Sequence, residues 1–264
     1  MLDFNKMWEI LGQNITVISY GIISTLILAI FGTVVGLILG VFLAYGKNIK
    51  LDRFNDNKVI YYLKALLKGL CNIYSSVIRG TPMMVQALIF KYGCQAIGIN
   101  WGSIQIEGEI NYVLNGWLFA GLIVITLNTT AYMGEIVKSG LNGVDKGQVE
   151  GARSLGFSAS KTSLLIILPQ ALKNAIPTIG NELIVNIKDS SVLNVITVTE
   201  LYYRIFLIAG RTYSFMECYL ILAIIYLALT LIFSGILKLI EKKLNGKKIS
   251  LNPFGRYFRK GDII

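Results

Sequence analysis

Residues Asp145 to Pro169 read DKGQVEGARSLGFSASKTSLLIILP. This stretch is polar enough to face water, and it lies between two long apolar stretches. Val149, Ala152 and Leu155 recur every three residues, so a short helix here has one apolar face. Glu150 and Arg153 are three apart and can pair on its polar side. Gly151 and Ala152 have almost no side chain, so another surface can approach the backbone closely. Gly156 follows the last periodic residue, where a left-handed cap is expected. Ser158 is placed to cap a second helix, which Pro169 is expected to end or kink. Spacing alone leaves two readings open: a helix lying on a lipid surface, and a helix that docks on another protein.

The chain around this stretch has the composition of a membrane protein. Of its 264 residues 54 % are hydrophobic and 15 % charged, against roughly 25 % charged in soluble domains. Mean hydropathy is +0.62. The length suits one integral-membrane domain over 1–264, with 145–169 as its one large polar insertion. Spans are expected at about 15–45, 72–97, 114–138, 172–196 and 215–240, which gives an all-α polytopic fold with five transmembrane helices. No cleavable signal peptide is expected, because the first apolar run is too long for one. Cys71, Cys94 and Cys218 form neither a disulfide framework nor a metal spacing, and there is no histidine. No phosphate-binding loop is present, so ATP would have to be bound by another chain. A membrane enzyme finds no nucleophile–base pair here.

The spans carry two kinds of pattern. Gly32, Gly36, Gly40 and Ala44 step by four along the first, a ridge for close helix packing. Arg79-Gly80-Thr81-Pro82 interrupts the second region, which is expected to break or bend there. Asn128, Tyr132 and Glu135 share one face of the third span, and Glu182, Asn186 and Asp189 share one face of the fourth. Polar and ionisable residues inside a membrane are costly and usually face a bundle interior or a water-filled path. Asn128, Tyr132, Glu182, Asn186 and Asp189 are therefore candidates for a substrate path between two facing stripes, with interhelical ties as the alternative.

Basic residues orient the chain. Residues 47–79, 138–173 and 238–264 hold seven, five and eight of the 25 Lys and Arg. The positive-inside rule puts these segments and the C-terminus in the cytoplasm and the N-terminus outside. Trp101, Glu107, Glu109, Tyr112 and Trp117 suit an external loop. The net charge of +10 is thus a topology and lipid signal that requires no nucleic acid, and the tail from Lys242 to Lys260 is expected at the anionic leaflet.

Glu150, Gly151, Ala152, Gly156, Ile166, Leu168 and Pro169 together resemble the Glu-Ala-Ala coupling loop of ABC-importer permeases, with Gly151 replacing the first alanine. Arg79-Gly80-Thr81-Pro82-Met83-Met84-Val85-Gln86 resembles the signature of permeases for polar amino acids. Thr130-Ala131-Tyr132, Pro169-Gln170-Ala171, Pro177, Asn181 and Lys188-Asp189-Ser190-Ser191 extend the resemblance over most of the chain. Lys138-Ser139-Gly140 departs from the commonest family residues, and the loop after Lys47 looks longer than is usual.

The resemblance implies a type I ABC importer transmembrane domain of the MetI-like kind, in the cytoplasmic membrane of a prokaryote. In such a protein Glu150, Gly151, Ala152 and Gly156 contact a cytoplasmic ATPase subunit. It implies a second permease chain, identical or paralogous, and an extracytoplasmic solute-binding protein. ATP and Mg would sit on the ATPase, and this chain would be no enzyme. The reading kept beside it is a secondary transporter or channel without an ATPase, although no inverted repeat is visible.

Overall fold

The computed structural model describes residues 3–54, 56–104, 108 and 112–245. Glu107, Glu109 and the tail beyond residue 245 lie outside the described residues. Those described form helices joined by turns and two longer connections, 48–57 and 97–115, with no strand among them. The longest is α1, Phe4–Lys47; α2 is Lys58–Gly80, α3 Met83–Ala96 and α4 Gly116–Asn142. After α4 come α5, Lys146–Ser154, and a helical run made of α6, Ala159–Thr162, a π-helical turn, Ser163–Ile167, and α7, Leu168–Asp189. A 3-10 segment, Ser190–Ile196, then leads to α8, Leu201–Thr212, and α9, Phe215–Asn245.

Local chemistry starts several of these helices. Asp3 accepts from the backbone N–H groups of Asn5 and Lys6 at the head of α1, and Asn115 accepts from that of Leu118 at the head of α4. Thr197 and Tyr213 take left-handed backbone at the turns bounding α8. The helix containing the first expected span begins at Phe4, well before residue 15. The second region is two helices, broken at Thr81-Pro82 where the sequence predicts it. The fourth leaves α-geometry at Ser190, so residues 190–196 belong to the 3-10 segment.

Pro169 does not end its helix. The π-helical turn immediately before it lets the backbone run past a residue with no N–H to donate.

The core is built on α1 against α4. A Cβ on Gly40 would lie 2.5 Å from the Met133 Cβ, and one on Gly36 2.9 Å from the Thr129 Cγ2. The contact is reciprocal, since a Cβ on Gly134 would lie 2.6 Å from the Leu43 Cδ2. Leu28, Leu118, Ile125, Leu193 and Val198 close one cluster beside this seam, and Ile18, Leu201, Ile205 and Leu222 close another between α1, α8 and α9. Outward, Phe42, Leu63, Ile73, Leu231 and Leu239 stand exposed, the pattern of helices whose solvent is lipid. Three helices are long and apolar enough to cross a bilayer among the described residues: α1, α4 and Phe215–Lys243. Ala159–Ile196 with α8, bent by 57°, makes a fourth if taken as one broken span.

Candidate functional site

The insertion folds as its spacing predicts. Asp145 Oδ1 accepts from the Gly147 N–H at 2.7 Å and opens α5. At the far end Gly156 takes φ +82°. Its N–H donates to the Arg153 carbonyl at 3.0 Å, and that of Phe157 to the Ala152 carbonyl at 3.1 Å. This pair of bonds is a Schellman cap. Ser158 then caps the next segment through the Lys161 N–H. Ala152 is buried where α5 packs on the run that follows, whereas Glu150 and Gly151 face open space.

Two local expectations differ. Arg153 donates to the Phe157 carbonyl, and no Glu150–Arg153 ion pair occurs among the described residues. The apolar stripe also divides, because Leu155 is 81 % exposed while Ala152 is 7 %. α5 is too short to turn three apolar residues one way once the Gly156 cap redirects the chain.

The α4 stripe meets α2 and α3. Asn128 Nδ2 donates to Gln86 Oε1 at 3.0 Å, while Gln86 Nε2 donates to the carbonyls of Ile78 and Thr81 at 2.8 and 2.9 Å. Gln86 thus satisfies backbone groups freed where α2 gives way to α3. One turn on, the Arg79 guanidinium lies 5.8 Å from the centre of the Tyr132 ring. The Glu135 carboxylate accepts from Ser75 Oγ at 3.0 Å, lies 3.0 Å from Arg79 Nη1 as an ion pair, and pairs with Lys47. Lys47 also donates to Ser75 Oγ at 2.9 Å.

The α7 stripe divides. Asn186 is 3 % exposed, accepts from Thr129 Oγ1 at 3.2 Å and donates to Thr33 Oγ1 at 2.9 Å. Its amide thus ties α7 to α4 and α1. Glu182 is half-buried and Asp189 exposed; neither makes a hydrogen bond or ion pair among the described residues. Within one protomer the two stripes do not face each other: α4 shows Thr129 to α7 and turns Asn128, about 100° around the helix, toward α3. A groove of about 1250 Å³ opens elsewhere, lined by Phe42, Tyr45, Cys71, Tyr74 and Leu164, and no predicted path residue lines it.

Sequence reasoning missed partners more than sites. Lys47 reads as a loop lysine, yet it is buried against Glu135. Glu200 was not singled out at all. It is fully buried, accepts from the Tyr202 and Tyr203 N–H groups and from the Tyr226 hydroxyl, and so heads α8. Its place just before a helical segment was the available signal.

The bent, broken and inserted helices of this bundle are those of a binding-protein-dependent transport permease. Residues 36–246 match the family model described as "Binding-protein-dependent transport system inner membrane component", and the chain belongs to that family. It is 33 % identical over 225 residues to the arginine transport system permease protein ArtQ of Bacillus subtilis, covering 85 % of this chain and 90 % of that one. It is 32 % identical over 242 residues to the putative glutamine transport system permease protein GlnP of Rickettsia conorii, covering 91 % and 95 %. A crystal structure of an amino acid ABC transporter with histidines superposes with a TM-score of 0.74 at 32 % identity, over 92 % of this chain and 99 % of that one. An inward-facing MetNI methionine ABC transporter shares the fold, with a TM-score of 0.61 at 16 % identity over 92 % and 100 %.

Proposed function

We propose that this chain is the permease subunit of an ATP-driven importer for a polar amino acid. A second permease chain, a cytoplasmic ATPase and an extracytoplasmic binding protein complete the machine. The relatives named for arginine and glutamine transport support the substrate class. The carrying observation for ATP coupling is α5, a capped helix that presents Glu150 and Gly151 outward between α4 and α7. In this reading Glu150, Gly151 and Gly156 form or shape the ATPase contact, and Ala152 seats α5 on the permease. ATP and Mg are held by the ATPase, and this chain makes or breaks no covalent bond.

The chain crosses the membrane five times, with α2 and α3 together counted as the second span. The N-terminus is outside and the C-terminus inside. Asn128, Tyr132, Glu182 and Asp189 line the path, and Asn186 braces it from behind. Carboxylates serve as acceptors for a substrate ammonium, and amide N–H groups as donors for a substrate carboxylate. The test is uptake of labelled amino acids into proteoliposomes holding permease, ATPase and binding protein. Uptake should require ATP and collapse with Glu150→Ala, while the variant still inserts in the membrane. Uptake that persists without the ATPase would instead identify a secondary transporter.

A further inference from the structure

We propose that Arg79 binds the carboxylate of the transported amino acid, released for that task because Lys47 already neutralises Glu135. The inference rests on the reading of the α4 stripe as a path wall. Its ground is a count of charges. Glu135 offers one carboxylate, and both Lys47 and Arg79 are paired with it. Lys47 is 7 % exposed and held by Ser75 as well, so it is a fixed partner. An uncompensated ammonium at that depth would be costly, which ties it to Glu135 permanently.

Arg79 is the second cation on a carboxylate whose charge is already met. It differs from Lys47 in its surroundings: its side chain is 43 % exposed, and its guanidinium lies over Tyr132, on the same α4 face as Asn128. A guanidinium has five N–H donors in a planar fork, and Glu135 engages Nη1 alone at 3.0 Å. The free edge fits an incoming carboxylate in the two-pronged geometry that arginine favours. Swinging from Glu135 to a ligand strands no charge, since Lys47 and Ser75 remain on Glu135. The Thr81-Pro82 break, two residues beyond Arg79, sets this guanidinium at the end of α2. A chain with both cations fixed, or with one only, would lack this movable donor.

The test is equilibrium binding of the twenty labelled amino acids to the permease–ATPase complex in nanodiscs, with no binding protein present, followed by competition with the carboxamide of whichever ligand binds. Wild type should bind and should prefer the acid to its amide. Arg79→Gln should weaken binding about tenfold or more and erase that preference, and Arg79→Lys should restore part of it. Lys47→Met should bind weakly, because Arg79 must then stay on Glu135, and adding Glu135→Gln to it should recover binding. If Lys47→Met with Glu135→Gln binds as weakly as Arg79→Gln, Arg79 is a strut for Glu135 and the proposal falls alone. If Arg79→Gln keeps both affinity and preference, it also falls alone. If wild type binds no amino acid, the path reading falls and takes this proposal with it.

Discussion

Asn128 on α4 donates to Gln86 on α3 at 3.0 Å, and the same Gln86 amide holds the Ile78 and Thr81 carbonyls that lead into the Thr81-Pro82 break. One side chain therefore ties both the junction of α2 with α3 and the orientation of Asn128. Gln86→Leu keeps the bulk and removes every bond. Unpartnered polar groups at this depth cost about 1–3 kcal/mol each. Transport should fall several-fold while assembly with the ATPase is retained, as read by uptake alongside co-purification.

The α1–α4 seam should be intolerant of size. Gly40→Leu drives a side chain into Met133, where a Cβ alone would lie 2.5 Å from the Met133 Cβ and 2.9 Å from its carbonyl carbon. Overpacking of this kind costs about 1–3 kcal/mol, and backbone contact puts this case at the upper end. Gly12→Leu, where nothing lies within 4 Å of an added Cβ, should be near neutral. Thermal unfolding of the two purified variants compares them directly.

Gly156→Val forces a β-branched residue to φ +82°, which costs about 1–2 kcal/mol or more. The loss is local to the α5 cap, so insertion in the membrane should be normal. ATP hydrolysis should no longer follow substrate, and Gly156→Asn should be milder, because asparagine tolerates left-handed backbone. Normal coupling in the valine variant would leave α5 as a surface helix.

Asn186 and Glu182 should part company in a cysteine-accessibility assay. In a background without Cys71, Cys94 and Cys218, cysteine at 186 should resist water-soluble thiol reagents, since the site is 3 % exposed. Cysteine at 182 or 128 should react, and should be protected by substrate. Asn186→Ala should also lower the melting temperature, leaving Thr33 and Thr129 without their shared partner at a cost of about 1–3 kcal/mol. Equal reactivity at 182 and 186 would mean that α7 presents its whole polar face to water.

Labels attached at 50 and at 102, on either side of α2 and α3, should lie on opposite sides of the membrane in intact cells, read with impermeant reagents. Finding both on one side would remove a span, and the region around Thr81-Pro82 is where the count would change.

Much of this was legible in the residues because the rules involved are local. Asp145, Gly156 and Ser158 are capping residues, and each acts within its own turn. The glycine ridge announced a packing seam, since steps of four on a helix have few other uses. Thr81-Pro82 announced a break. What stayed hidden depends on rotation and on distance along the chain. Asn128 and Thr129 are adjacent letters, yet they meet different helices. Lys47 and Glu135 are 88 positions apart, and no spacing rule connects them. Asn186 looked like a path residue because burial against Thr33 is a property of the bundle and leaves no mark on the sequence around it. Pro169 marks an irregularity but not its form, because periodicity does not signal a π turn.

The glycine seam has a mechanical consequence. Where Gly36, Gly40 and Gly134 bring α1 and α4 close, the interlocked Leu43, Thr129 and Met133 side chains leave little room to slide. Two helices so joined translate and turn as a single girder. Any change of shape between one side of the membrane and the other must then be taken up at joints outside that girder. Among the described residues those joints are discontinuities already in the backbone: Thr81-Pro82, the π turn before Pro169, and the 57° bend ahead of Leu201. A stiff first span thereby directs movement toward such breaks, and two of these three carry a proline at or beside the joint.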